Sequence, residues 1–167
     1  RLARTLRTWP DPVYINRNFK AVIEACAQPG RDRQNTWIND EIVGLYIKLH
    51  AMGFAHSVEC WNGDRLIGGL YGISIRGAFF GESMFSLARD ASKVALAHLV
   101  GRLRSGGYKL LDVQFVTSHL KGFGAVEIPR SDYQDELADA LSVDGDFYSL
   151  PDLPDAAAIL QSITQTS

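Results

Sequence analysis

The chain has 167 residues, of which 46% are hydrophobic and 22% are charged. This composition is typical of a soluble globular domain and excludes intrinsically disordered, collagen-like and low-complexity proteins. The longest nearly uncharged stretch, residues 66–81, is rich in glycine and contains Arg76, so no membrane span is predicted.

The net charge of −2 conceals an uneven distribution along the chain. Residues 1–35 carry a net charge of +4, residues 36–125 carry +2 and residues 126–167 carry −8. A basic region can contact phosphates through counterion release, whereas an acidic end is repelled by them. The same pattern also fits an ordinary solvated surface of mixed sign.

Two helices and a hairpin are predicted in the first half of the chain. One helix covers residues 18–28, and a second runs from the N-cap Asn39 to a stop at Gly53. The inward side chains of the second helix are predicted to be Ile42, Leu45, Tyr46 and Leu49. Strands at 55–61 and 65–73 flank the turn Asn62-Gly63-Asp64, and a third strand covers 77–85.

The second half of the chain alternates helices and strands. The predicted elements are a helix over 91–103 capped by Asp90, a strand over 108–116, a short helix over 117–122, a strand at 125–130, a helix over 132–141 and a tail from 151. This order gives an α/β (α+β) fold with a mixed sheet flanked by helices, antiparallel at first and then joined by a crossover helix. The order resembles the GNAT acyltransferase fold, which does not by itself establish chemistry.

Cysteine and histidine patterns do not predict a metal site. Cys26 and Cys60 are far apart and match no ligand spacing, and the four histidines form no HxxxH or HExxH motif. We therefore expect no metal and no cofactor, and a reduced, cytoplasmic setting.

The strand at 108–116 carries a polar pair among apolar residues. Its period of two places Asp112 and Gln114 on one face. A strand that is apolar on both faces is expected to be central, so both side chains are expected to be partly buried. A buried carboxylate needs a partner, and the pair fits either a site or the anchoring of a neighbouring loop.

Glu82 is a second charged residue in an apolar strand. It follows Phe79, Phe80 and Gly81, and strict alternation places it on one face with Phe80 and Met84. A buried glutamate at this position requires a cationic partner, which is either an ammonium group of a ligand or a lysine or arginine of the chain. Gly81 can also mark a bulge that redirects the side chains beside it.

Seven strings together resemble the leucyl/phenylalanyl-tRNA–protein transferase family. They are TWIND (36–40), AHSVECW (55–61), GGLYGI (68–73), FFGESMFS (79–86), DASKVAL (90–96), LLDVQ (110–114) and GAVEIPR (124–130). They stand in the order and at the spacing of the family and cover about residues 1–142. The resemblance implies a catalytic GNAT-like domain at 1–142 and an acidic C-terminal tail at 143–167, and it implies that the small N-terminal domain of the family is absent from the chain.

The resemblance also implies an activity and a set of site residues. The enzyme would move Leu or Phe from the 3′ end of aminoacyl-tRNA to the N-terminal Arg or Lys of acceptor proteins, which marks them for N-degron degradation. A cytoplasmic monomer without a membrane partner is expected. The implied catalytic pair is Asp112 and Gln114, and the implied substrate-binding residues are Trp37, Leu70, Phe79, Gly81, Glu82 and Leu99.

The implied chemistry suits these residue types. The aminoacyl ester is already activated, so no Ser or Cys nucleophile and no metal is required, and alignment of amine and ester is the main task. Gln114, bonded to Asp112, acts either as a weak general base or only as an orienting group.

The same residues also fit two other functions. One is a CoA-dependent N-acetyltransferase, which residues 86–92 disfavour because they lack the glycine-rich phosphate turn. The other is a non-catalytic tRNA- or peptide-binding module.

Overall fold

The computed structural model describes residues 1–28, 38–113 and 118–164. Its elements in chain order are α1 (Leu2–Thr8), β1 (Val13–Ile15), α2 (Phe19–Ala27), α3 (Asp40–Ala51), β2 (Ala55–Asn62), β3 (Arg65–Ile75), β4 (Ala78–Ser86), α4 (Ala91–Ser105), β5 (Leu110–Val113), α5 (Ser118–Lys121), α6 (Arg130–Leu141) and α7 (Ala156–Thr164).

The strands form one mixed sheet in the order β1-β2-β3-β4-β5. The first four strands pair in antiparallel fashion, whereas β4 and β5 are parallel and are connected through α4. This confirms the predicted mixed α/β architecture with an antiparallel first half and a crossover helix. The topology is compatible with the GNAT-like label, which remains a prediction.

The predicted helices and hairpin of the first half are confirmed. The side chains of Asn18 and Asn39 cap α2 and α3 by accepting the backbone N–H groups of Ala21 and Ile42. Gly63 adopts φ of 59° in the β2–β3 turn, a conformation that favours glycine. The predicted inward face of α3 is wrong at Leu45, which is 54% exposed.

The crossover helix α4 lies at the centre of the larger core. Its predicted inward residues Val94, Ala95, Leu99 and Leu103 are all buried. Asp90 stands at the N-cap position, but its carboxylate makes no cap hydrogen bond because the residue has φ of 66°. Instead, that carboxylate lies 3.2 Å from the Lys93 ammonium.

Other predictions for the second half are wrong. Within the described residues, β5 lies at the end of the sheet rather than at its centre. One of its apolar faces is explained by the packing of Leu111 and Val113 against the larger core. Residues 125–129 form no strand. Three elements have no predicted counterpart: α7 in this half of the chain, and α1 and β1 in the first half.

The acidic C-terminal segment packs on the same core as the rest of the chain. Phe147 is 3% exposed and Ile159 is fully buried. The Arg102 guanidinium of α4 donates to the carbonyls of Phe147, Leu150 and Pro151 at 2.7–2.9 Å. A domain boundary at residue 142 remains a prediction.

A second, smaller core covers the other face of the sheet. It holds α2 against β2 and β3 through Phe19, Ile23, Ala55 and Tyr71. None of the described helices combines the length and hydropathy needed to span a membrane.

Candidate active site

Two carboxylates lie where the parallel strands β4 and β5 run side by side. In their register Phe80 pairs with Asp112 and Gly81 pairs with Val113. Glu82 is the next residue of β4, so it lies directly beyond this paired segment. Both acidic side chains are half-buried.

Glu82 occupies a β-bulge. Along β3, Tyr71 pairs with Ser83 and the next residue, Gly72, pairs with Gly81, so Glu82 is the extra residue of β4. A bulge beside Gly81 was one of the two predicted arrangements, and it is confirmed. The strict alternation is wrong beyond Gly81, because Met84 packs against the same core as Phe79.

Among the described residues, no lysine or arginine forms an ion pair with Glu82. Its carboxylate accepts a hydrogen bond from the Tyr46 hydroxyl of α3. Burial raises the pKa of Glu82, the Tyr46 hydrogen bond opposes that rise, and the negative charge of Asp112 adds to it. The site therefore favours the arrival of a cation at Glu82.

Asp112 is held by a helix from the C-terminal part of the chain. The Tyr133 hydroxyl of α6 donates to Asp112 Oδ2 at 2.6 Å. This hydrogen bond is the main reason that the pKa of Tyr133 rises to about 12. The pKa of Tyr46 also rises to about 12, first because the side chain is buried and then because Glu82 is negative. Both hydroxyls therefore remain protonated donors at neutral pH.

A small apolar pocket lies among chain neighbours of the two acidic residues. The space between its lining atoms, open mouth included, is about 310 Å³. Its lining includes both chain neighbours of Glu82 and Val113, the neighbour of Asp112, whereas neither acidic side chain is itself part of the lining. The lining residues are Leu70, Tyr71, Gly81, Ser83, Met84, Leu96, Leu99, Val113 and Leu120.

The structure brings together most of the predicted site residues. Leu70, Gly81 and Leu99 meet in the pocket wall. Phe79 does not line the pocket; it is fully buried and stacks on Phe147 with ring centroids 5.9 Å apart. Trp37 and Gln114 lie outside the described residues.

Neither a reactive cysteine nor a metal-binding group of side chains is found among the described residues. Cys60 is buried, and burial raises the pKa of its thiol to about 12, so it is a poor nucleophile. Within residues 1–28, 38–113 and 118–164 no group of three or more His, Cys, Asp or Glu side chains is arranged to hold a metal ion.

Comparison with known proteins decides the family. The family model described as leucyl/phenylalanyl-tRNA protein transferase matches residues 1–138. The chain belongs to this transferase family. The resemblance inferred from the seven strings is thereby confirmed.

Full-length relatives in bacteria agree with this assignment, and each of the following is named leucyl/phenylalanyl-tRNA–protein transferase. The protein from Maricaulis maris is 59% identical over 166 residues, which cover 99% of this chain and 77% of the relative. The proteins from Phenylobacterium zucineum and Caulobacter vibrioides are each 57% identical, and the matches cover the whole of this chain and 78% and 77% of the relatives.

Two tyrosines that contact the site carboxylates in this transferase family member are not predicted from the sequence. Tyr46 was predicted only to face inward, and Tyr133 was not singled out. Both act on a carboxylate from a helix that is distant in sequence, so no local pattern predicts the contact. The sequence indicated only that Glu82 and Asp112 each require a hydrogen-bonding or charged partner from outside their own strands.

The motif AHSVECW contains a buried carboxylate whose role is structural. Glu59 is fully buried and accepts hydrogen bonds from the backbone N–H of Asn18, the Ser57 hydroxyl and the Trp61 indole. These neutral donors replace water around the charge and anchor the start of α2 to β2. This motif of the transferase family therefore supports the sheet rather than the pocket.

Proposed function

We propose that this chain transfers Leu or Phe from aminoacyl-tRNA to the N-terminal Arg or Lys of acceptor proteins. The observation that carries the proposal is the pair of half-buried carboxylates, Glu82 and Asp112, whose chain neighbours line a small apolar pocket. Membership of the transferase family supports the same reading.

The pocket and Glu82 together suit the aminoacyl group. An aminoacyl ester carries an apolar side chain and a free α-ammonium group on the same carbon. The side chain enters the pocket between Leu70, Gly81 and Leu99, while the ammonium group binds the half-buried carboxylate of Glu82. A Cβ placed on Gly81 would lie 3.5 Å from Val113 Cγ1, so the missing methyl leaves that space open to the substrate.

The reaction needs alignment more than activation. The acceptor α-amine attacks the ester carbonyl, the new peptide bond forms, and the ester C–O bond breaks to release the ribose hydroxyl of the tRNA. An α-amine has a reference pKa of about 8, so a useful neutral fraction exists near pH 7. Fixed alignment of amine and ester contributes up to about 7–11 kcal/mol to such a step.

Asp112 and Gln114 serve the attacking amine. Asp112 orients Gln114, which positions the amine and helps to receive its proton, and the ribose hydroxyl finally takes a proton as the leaving group. Trp37 forms part of the wall around the terminal adenosine or the aminoacyl group. These two roles extend the family resemblance to residues outside the described parts of the chain.

The cellular setting follows from the proposed activity. The net positive charge of residues 1–125 favours contact with the tRNA phosphates. A modified N-terminus would direct the acceptor protein to N-degron degradation. The enzyme would work as a cytoplasmic monomer.

The deciding experiment is a transfer assay with purified chain, labelled Phe-tRNA and a peptide that begins with Arg. We expect labelled peptide from the wild-type chain and at least about a hundredfold slower transfer from Asp112→Asn, because the amine loses its orienting charge. Asp64→Asn, the same change in the exposed β2–β3 turn, is the matched control and should transfer at the wild-type rate. Binding of Phe-tRNA without any transfer would instead indicate a non-catalytic module.

A further inference from the structure

Tyr133 contacts the site from an element that the proposed chemistry does not use. It lies in the first turn of α6, and its hydroxyl donates to Asp112 Oδ2 at 2.6 Å. The helix around it is mostly exposed, with Asp132 and Gln134 both open to solvent. Tyr133 therefore reaches into the site from a surface helix rather than from the core.

The far end of α6 is fixed to the sheet. Ala140 is fully buried, and its carbonyl accepts the backbone N–H of Gly77, just before β4, at 3.0 Å. Seven residues separate Tyr133 from Ala140, which is about two helical turns, so both side chains lie on the same face of α6. The anchor at Ala140 thus sets where the Tyr133 hydroxyl meets Asp112.

We infer that Tyr133 is a positioning residue of the transfer reaction, which holds the Asp112 carboxylate in the orientation that Asp112 needs to direct its partner. The inference rests on the proposed function, since it gives Tyr133 a role only through Asp112. A carboxylate bonded through Oδ2 cannot rotate freely, and the direction of Oδ1 is fixed with it.

The chemistry of the phenol supports holding rather than proton transfer. With its pKa raised to about 12, Tyr133 keeps its proton throughout the working range of the enzyme. It therefore donates to Asp112 continuously and does not act as a base.

The first test compares Tyr133→Phe with the wild-type chain in the Phe-tRNA transfer assay. Removal of the hydroxyl should lower kcat by about tenfold to a hundredfold, because small displacements of reacting groups are costly, and should leave the KM for Phe-tRNA within about twofold. The matched control is Tyr148→Phe, whose hydroxyl accepts from Asn16 and whose side chain is 59% exposed. That variant should keep the wild-type kcat.

The second test repeats the change in an Asp112→Asn background under single-turnover conditions. If Tyr133 acts through Asp112, the double variant should react within about twofold of Asp112→Asn alone. An equal fold loss in both backgrounds, a wild-type kcat for Tyr133→Phe, or an activity loss that follows loss of folded protein would each overturn the inference.

Failure of the proposed function looks different. If the wild-type chain makes no product, or Asp112→Asn transfers at the wild-type rate, the proposed function or the role of Asp112 fails and this inference fails with it. A fully active Tyr133→Phe beside an impaired Asp112→Asn overturns the inference alone.

Discussion

At the scale of single residues, the site combines two acids with two phenols. Glu82 and Asp112 are each held by a tyrosine hydroxyl, from α3 and α6 respectively. A neutral donor satisfies a carboxylate without cancelling its charge. Each acid therefore keeps a negative potential for a positively charged or hydrogen-bonding substrate group.

Replacement of Glu82 should separate function from stability. The pKa of Glu82 is raised in the folded state, so the fold binds a proton there more readily than the unfolded chain, and the ionised side chain lowers stability at pH 7. Glu82→Gln removes that charge and should raise the melting temperature. The same change should raise the KM for Phe-tRNA by about tenfold to a hundredfold, because the bond to the substrate ammonium loses its charge.

Thermal unfolding and steady-state kinetics on the same preparations check this prediction. Glu24→Gln is the control, since Glu24 is an exposed glutamate paired with Lys20 on α2 and should change neither quantity appreciably. A lower melting temperature combined with an unchanged KM for Glu82→Gln would contradict both parts of the argument.

At the level of residues, the sequence pattern is informative where a charge interrupts an apolar strand. Glu82 and Asp112 stand out for that reason, and both are half-buried beside residues that line the pocket. Phe79, an implied pocket residue, is fully buried and stacks on Phe147 instead of lining the pocket, and the bulge at Glu82 changes which residues of β4 face the cavity only beyond Gly81. A bulge depends on pairing with β3, which a single strand's pattern does not contain.

At the scale of elements, one buried cation joins the C-terminal segment to the crossover helix. Arg102 is 1% exposed, and its guanidinium donates to three backbone carbonyls between residues 147 and 151. The three carbonyls lie outside helices and strands, so Arg102 supplies the hydrogen bonds that backbone N–H groups supply in regular secondary structure.

Loss of this anchor should destabilise the fold strongly. Arg102→Met keeps the apolar length of the side chain but removes every donor, and we expect about 2–4 kcal/mol lower stability to urea. Arg104→Met changes an exposed arginine on the same helix, which donates to the Ile163 carbonyl of α7, and because that bond is exposed its loss should cost less than about 1 kcal/mol.

Limited proteolysis gives a local readout of the same change. Cleavage within residues 143–155 should be faster in Arg102→Met than in the wild type, because the segment has lost its attachment to α4. Equal stability and equal cleavage in the two proteins would show that the three hydrogen bonds contribute little.

Elements with strong local signals were predicted well, and those that depend on packing were not. The Asn39 cap of α3 and the turn at Gly63 are set by residues within a few positions, so the sequence pattern sufficed. The short α1 and the mostly apolar α7 have no such signals, and their Leu6 and Ile159 are buried by packing in the same core as residues of α4. Residues 125–129 have a strand-like composition, but they pair with none of the five described strands.

At the scale of the whole molecule, the two ends of the chain share one core although they differ in charge. α1 from the basic start packs against α7 from the acidic end, and α7 in turn packs against α4. The helix α7 itself contains no charged residue. Within the described residues, the basic start and the acidic end of the chain therefore share one core and do not form two separate domains.

Two buried histidines couple the stability of this core to pH. His56 of β2 stacks on Phe147 with ring centroids 4.1 Å apart, and His98 lies in α4 close to Arg102. Burial lowers the pKa of both imidazoles to about 4; His50 and Arg102 add to the effect at His56, and Arg102 adds to it at His98. Each histidine is therefore neutral in the folded state above about pH 4.

The sign of the resulting pH dependence follows from proton binding. Between pH 4 and the unfolded value of 6.5, the unfolded chain binds more protons at these positions than the folded chain, so stability falls as the pH falls. Each histidine should lower stability by roughly 2 kcal/mol at pH 5 relative to pH 8.

His98→Leu should remove one such contribution, and urea unfolding at a series of pH values measures it. The difference in unfolding free energy between the variant and the wild type should change by about 2 kcal/mol between pH 7.5 and pH 5 and stay constant above pH 7.5. A difference that is the same at every pH would mean that His98 does not couple protonation to folding.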